Sequence, residues 1–169
     1  PNDHVNMGQS SNDVIPTSIH LAALLSIKED LIPSLEFLAT ELNKKSDEFW
    51  PVIKTGRTHL QDATPVRLGQ EFKGFAGQAE YSVQRLYRAQ EALAEVALGG
   101  TAVGTGVNTH EEFSSRTCKT VSDASGVLIK ETGNHFQAQA SLDGLVEASG
   151  ELKTIAISLH KIANDIRFI

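Results

Sequence analysis

The sequence has little of what would place it in several common protein classes. It holds one cysteine, Cys118, so neither a disulfide framework nor a cysteine metal site is available. The expected role of Cys118 is a buried structural thiol, and nothing about it implies an oxidising compartment. Aromatic residues make up only 6% of the chain, which fits helix packing by Leu, Ile and Ala better than a β-sandwich. Positive charge is also scarce. The 15 Lys and Arg face 21 Asp and Glu, for a formal net charge of −6. That balance argues against a nucleic-acid partner, whose surface needs clustered Lys and Arg. No apolar run approaches the length needed to span a bilayer, so no membrane partner is expected. The chain also lacks an initiating Met: it begins at Pro1 and stops at Ile169 inside an apolar-periodic stretch. It therefore reads as a fragment of something longer, in which a signal peptide could not be recognised.

What is present is the composition of a soluble globular protein, 40% hydrophobic and 21% charged over 169 residues. That length suffices for one domain with a sizeable core. Four helical stretches are expected. The first begins near Val14 to Pro16 and runs to about Phe49, capped by Asn12 or Asp13, with Pro16 in the first turn. Its stripe is Ile15, Ile19, Ala22, Leu25, Leu31, Leu35, Leu38 and Leu42. The second follows Pro65 and reaches about Leu98, with Phe72, Phe75, Ala76, Ala79, Val83, Leu86, Leu93 and Val96 on its apolar face. A shorter third stretch covers about His110 to Ala124 and closes at Ser125-Gly126. The fourth runs from near Ala138 to the end of the chain. Its stripe is Leu142, Leu145, Val146, Leu152, Ile155, Ala156, Leu159, Ile162 and Ile166.

Three of these helices would be roughly 30 residues, or about 45 Å, long. Globular helices average about 11–12 residues. An all-α, long-helix bundle follows, with the wide apolar faces expected to pack against other copies of the chain. The blander reading is a monomeric bundle. No β hairpin or internal repeat is expected, and strand propensity is thin outside Val127 to Ile129.

Three segments could carry chemistry. Gly8-Gln9-Ser10-Ser11-Asn12-Asp13 places hydroxyls and an amide at a helix N-terminus, where free N–H groups bind carboxylates or phosphates. A plain capping sequence would look the same. Lys54-Thr55-Gly56-Arg57-Thr58-His59-Leu60-Gln61-Asp62 puts a histidine, able to move a proton near neutral pH, in a polar connection between long helices. From the residues alone His59 could be catalytic or structural, and Asp62 is near it in sequence only. Leu98 to Thr109 is rich in glycine, which lets backbone amides approach a ligand. It could equally be a flexible turn after a helix, and it fits no nucleotide-binding fingerprint. The six histidines are scattered, with no i, i+4 pair of the kind found in helical zinc sites, and no serine sits in a nucleophile elbow.

In this order the three segments resemble the fumarase/aspartase superfamily over the whole chain, from Pro1-Asn2-Asp3 to Ala163-Asn164-Asp165-Ile166-Arg167. Three positions look like its class II fumarase branch. Ser11 stands where aspartases tend to have Thr, Thr64 where they tend toward Val, and Gly100 where they usually have Ala. The resemblance implies reversible hydration of fumarate to L-malate without a metal or organic cofactor. It implies His59 as a catalytic acid/base residue, with Thr58 and Ser10, Ser11 and Asn12 binding substrate carboxylate. Asn2 and Asp3 match a second, peripheral dicarboxylate site, and His4 occupies a position often held by Asp. Residues 1–13 would end an N-terminal domain and active-site loop, and residues 14–169 would belong to an incomplete central helical domain. The family's mobile Gly-Ser-Ser loop with its base serine, the glutamate partner of the histidine, and an upstream Ser/Thr segment would all lie outside this chain. Its sites are shared between subunits of a homotetramer. A cytoplasmic or mitochondrial-matrix location would follow. Aspartate ammonia-lyase and a non-catalytic helical assembly protein of the same descent are the alternatives.

Overall fold

Hydrogen bonding of orphan N–H groups decides where the first long helix begins. The Ser10 hydroxyl accepts from Asn12 N, and the Asp13 side chain at the third helical position accepts from Ser10 N, a reciprocal capping box. In the computed structural model, which describes residues 2–168 and of Asn2 only the backbone, helix α1 covers Asn2–Val5 and α2 covers Ser11–Ser26. The cap is thus Ser10 rather than Asn12 or Asp13, and Pro16 lies inside the helix rather than in its first turn. The expected unbroken run to Phe49 is interrupted as well. A π-helical turn spans Ile27–Leu31 before α3 at Ile32–Glu48. Pro33 accounts for it: with no N–H, and a ring that crowds the carbonyl four residues back, it favours a locally widened turn.

The chain then departs from the all-helical expectation in two places. Ile53–Thr58 (β1) and Gln61–Arg67 (β2) form an antiparallel hairpin, where none was expected. Helix α4 follows at Leu68–Ala94 and ends before the expected Leu98, because Glu95–Val96 (β3) leaves it to pair in parallel with Lys130–Glu131 (β4). Helix α5 spans Phe113–Ser125 and is closed by Gly126 at φ 69°. Val127 and Ile129 are buried, but the strand itself begins one residue later. The fourth stretch starts earlier and is broken: α6 is His135–Ala140, and α7 is Asp143–Ile166. Helices hold 67% of the residues, so the all-α bundle class stands.

The chain divides into two compact units. One comprises Pro1–Asp30 and Leu86–Leu152, the other Leu31–Arg85 and Lys153–Ile169. In the first, Leu24, Leu86, Leu93, Val96, Cys118 and Ile129 are buried. Gly144 lets α7 lie against α4, since a Cβ there would stand 2.5 Å from the Ala92 carbonyl oxygen. In the second, Ala39 and Leu42 of α3, Phe75, Ala76 and Ala79 of α4, and Ile162 of α7 form one core. Phe72 packs edge-on to Phe49 and Phe75 beside it, with ring centroids 5.1 and 5.6 Å apart.

Two expected stripes are core only in part. Ile15 and Ile19 are exposed, and the inward face of α2 carries Asp13, Thr17, His20 and Leu24. A hydrophobicity pattern passes over three of those four. Along α7, Ile155 and Ile162 are buried, but Val146, Leu152 and Ile166, like Leu142 just before the helix, are 40–70% exposed. No helix among the described residues is long and apolar enough to cross a membrane.

Candidate functional site

The N-terminus of α2 and the glycine-rich loop are brought together by one carboxylate. Asp13 is fully buried. Its Oδ1 accepts from Ser10 N at 3.0 Å, and its Oδ2 accepts from Gly99 N at 3.0 Å and Thr101 N at 2.9 Å. Asn12 adds a second tie, donating from its side-chain amide to the Ala102 carbonyl at 2.6 Å. The loop's own bonds run from Gly104 N and Gly106 N to the Gly100 carbonyl, while Gln139 donates to the Thr101 carbonyl. Its glycines therefore serve a pinned structure and not a flexible turn. Gly99, Gly104 and Gly106 have φ of 96°, 93° and 67°, values that a side chain would resist.

Thr101 shares that left-handed geometry without being glycine, at φ 56°. For a β-branched residue this is an outlier that costs about 1 kcal/mol or more. Its hydroxyl is buried without a hydrogen-bond partner among the described residues, as is Oε1 of Gln139. Thr101 and Ser10 both line a recess of about 470 Å³ that also includes Gln9 and Asn108. Sequence reasoning took Asp13 for a capping residue and missed that it holds the loop. The available signal was its place at the third position after a serine cap.

Thr58 and His59 sit elsewhere, at the tip of the β1–β2 hairpin in the other compact unit. Thr58 pairs with Gln61 across a two-residue loop, His59-Leu60, whose φ values are 51° and 58°. A two-residue loop with positive φ at both centres is a type I′ turn, the connection whose twist suits a hairpin. Asn-Gly is its usual sequence, so His-Leu gave no warning of a hairpin. Holding these two side-chain-bearing residues in the left-handed region costs about 1 kcal/mol each.

Lower down, the register slips between Thr55 and Arg57, where Gly56 faces the Ala63-Thr64 pair. A Cβ on Gly56 would lie 2.5 Å from the Thr64 carbonyl oxygen, so glycine is required there. The hairpin's base is fastened by Leu68 N to the Val52 carbonyl, and by Arg67, which donates to the Trp50 carbonyl and lies over its ring.

The electrostatics of the hairpin oppose the charge of the whole chain. Between Ile53 and Arg67 there are three cationic side chains, Lys54, Arg57 and Arg67, against one carboxylate, Asp62. Asp62 does not partner His59: it faces Arg57 at 3.4 Å, an exposed pair of small energetic weight. Lys54 and Glu71 form a half-buried pair at 2.9 Å in the wall of a cleft of about 640 Å³. His59 and Thr58 are both exposed.

Of the remaining expected site residues, Ser11 is exposed on the first turn of α2 and Asp3 is exposed in α1. The side chain of Asn2 lies outside the described residues. Among the described residues no group of three or more His, Cys, Asp or Glu is arranged to hold a metal ion.

Known proteins match over the same span. The family model described as Lyase matches residues 1–169. The fumarate hydratase class II of Nitrosomonas europaea is 53% identical over 169 residues, covering 100% of this chain and 37% of that relative. The mitochondrial fumarate hydratase of Dictyostelium discoideum is 52% identical, with 100% and 35% covered. Among solved structures, the class II fumarase of Schistosoma mansoni superposes with a TM-score of 0.91 at 37% identity, over 98% of this chain and 38% of that one. A structure named fumarate lyase:delta crystallin, from Brucella melitensis and bound to cobalt, gives 0.93 at 44% identity, over 99% and 36%. This chain thus spans little more than a third of the relatives it matches.

Proposed function

The chain belongs to the lyase family whose model covers its whole length, and on that premise we propose that it is the central segment of a class II fumarate hydratase, catalysing reversible addition of water to fumarate to give L-malate. The observation that carries this reading is identity above 50% over the full chain to fumarate hydratases of bacterial and mitochondrial origin. Residues 1–13 would close the preceding domain and residues 14–169 would enter the central helical one.

In the dehydration direction a base removes a proton from the carbon beside one malate carboxylate, and the charge spreads into that carboxylate. Preorganised donors that meet this charge supply most of the catalysis in such reactions. His59 would exchange the proton of the departing hydroxyl or entering water. Thr58, Ser10, Ser11 and Asn12 would bind carboxylate, and Asn2 and Asp3 would hold a second dicarboxylate. No cofactor is invoked. The locally cationic hairpin and the positive end of the α2 dipole make dianion binding reasonable on a chain of net charge −6.

Thr58-His59 and Ser10-Ser11-Asn12 fall in different compact units, and all of these residues but Ser10 are exposed. Their exposure suits a site completed by other segments and other subunits, in a homotetramer assembled through the long helices. The uncovered apolar residues of α7 favour the same assembly. A cytoplasmic or mitochondrial-matrix setting fits, as does the absence of nucleic-acid and membrane partners.

The test is the full-length protein assayed by fumarate absorbance with L-malate, beside L-aspartate as a competing substrate. Turnover of malate alone supports the reading, and deamination of aspartate replaces it with the ammonia-lyase. Inactivity on both would favour a non-catalytic assembly protein, the reading that the crystallin in one relative's name keeps in play.

A further inference from the structure

We infer that Leu60 is a positioning residue for His59, acting through the backbone of the turn they share. The inference rests on the proposed function, which makes His59 the acid/base group. A residue with a Cβ has one small well at positive φ, at about +50° to +70°. Glycine instead ranges over the whole positive half of the map. His59 and Leu60 both occupy that narrow well, at φ 51° and 58°. Their ends are fixed by the Thr58–Gln61 pair that closes the hairpin.

Nothing at the tip offsets the strain of this arrangement. Leu60 is 87% exposed, His59 is exposed, and among the described residues neither side chain is held by a hydrogen bond. What the strained turn supplies is stiffness at the Cα of His59. Asn-Gly would make the same turn with a freely moving second residue. For an acid/base group at the end of a two-stranded hairpin, that stiffness matters: a misplacement of about 1 Å can cost about 100-fold in rate.

The experiment compares full-length wild type, Leu60→Gly and Leu60→Ala. Leu60→Gly is expected to lower kcat by about tenfold or more, with KM within about twofold and a melting temperature unchanged or higher. Leu60→Ala, which restores the Cβ and hence the narrow well, is expected to recover kcat to within about threefold of wild type. The pH profile of Leu60→Gly should keep its limbs where wild type has them and lose amplitude only. Equal losses in both variants would mean that the leucine side chain makes the contact, and would overturn the inference. So would full activity in Leu60→Gly, or a drop in its melting temperature large enough to explain the lost rate. An inactive wild type would sink the parent reading, and the inference with it.

Discussion

The carboxylate of Asp13 accepts the backbone N–H of Thr101 at 2.9 Å, joining residues 88 apart in sequence. With Ser10 N and Gly99 N it satisfies three main-chain donors from a fully buried position. Asp13→Ala leaves all three without an acceptor and should cost about 3 kcal/mol or more. Asp13→Asn keeps the shape but turns an N–H₂ toward at least one N–H, and should still cost about 2 kcal/mol. Denaturant midpoints would show this, and a shift under about 0.5 kcal/mol for Asp13→Asn would mean that the charge and second acceptor are dispensable.

The glycines on either side of this tie should respond unequally. Gly99 has φ 96° and would drive a Cβ into the side chain of Ser114. Gly100 has no such backbone constraint, and its Cβ would meet Oε1 of Gln139 at 2.9 Å, a side-chain end that can yield at the expense of its bond to the Thr101 carbonyl. Gly99→Ala is therefore expected to destabilise by about 2–4 kcal/mol and Gly100→Ala by about 1 kcal/mol. Thermal melts of the two variants in parallel would decide; a larger loss at Gly100 would reverse this ordering.

His59→Asn in the full-length protein should lower turnover by about two orders of magnitude. A near-wild-type rate would reduce His59 to a binding residue. The 169-residue chain alone, carrying only part of the proposed site, should show no consumption of fumarate.

Cys118 predicts a pH dependence. Burial raises its thiol above the ordinary value, more than the hydrogen bond from Ser114 lowers it, and the nearby Glu131 charge adds to the rise. The folded chain thus holds the proton more tightly than the unfolded chain. Its contribution to stability is complete below about pH 9, the ordinary thiol value, and is lost as pH climbs from there through the raised folded value. Cys118→Ala should flatten that decline. In the folded wild type the thiol should react with a disulfide reagent at pH 7 only as fast as the chain opens.

How much of this could be read from sequence depends on which force shapes each element. The long helices were legible because Leu35, Leu42, Phe75, Ala79 and Ile162 recur at helical spacing and are buried. Ser10-Ser11-Asn12 and Thr58-His59 stood out from their residues as segments that could carry chemistry, and their assigned roles came from resemblance alone. The hairpin was not, because its turn uses His-Leu in place of a glycine pair and its strands are mostly exposed. Nor was the link between Asp13 and the glycine loop, which is set by a tertiary hydrogen bond with no periodic trace. On α7 the pattern was right about apolarity and silent about cover, since Val146 stays 70% exposed and Leu152 40%.

The π turn at Ile27–Leu31 works as a frameshift in the buried face. Upstream, the inward residues are Asp13, Thr17, His20, Leu24 and Ile27, at steps of three and four. The next is Ile32 rather than Leu31, after which Leu35, Ala39, Leu42 and Ser46 resume the rhythm. A stripe extrapolated at constant pitch can be in phase on one side only, which is why Leu35 and Leu42 were placed correctly while Ile15 and Ile19 came out reversed. Deleting one residue from the turn would leave Ile27 and Ile32 four apart, the spacing at which a plain α-helix carries both on one face, so the bulge and not the stripe would be lost.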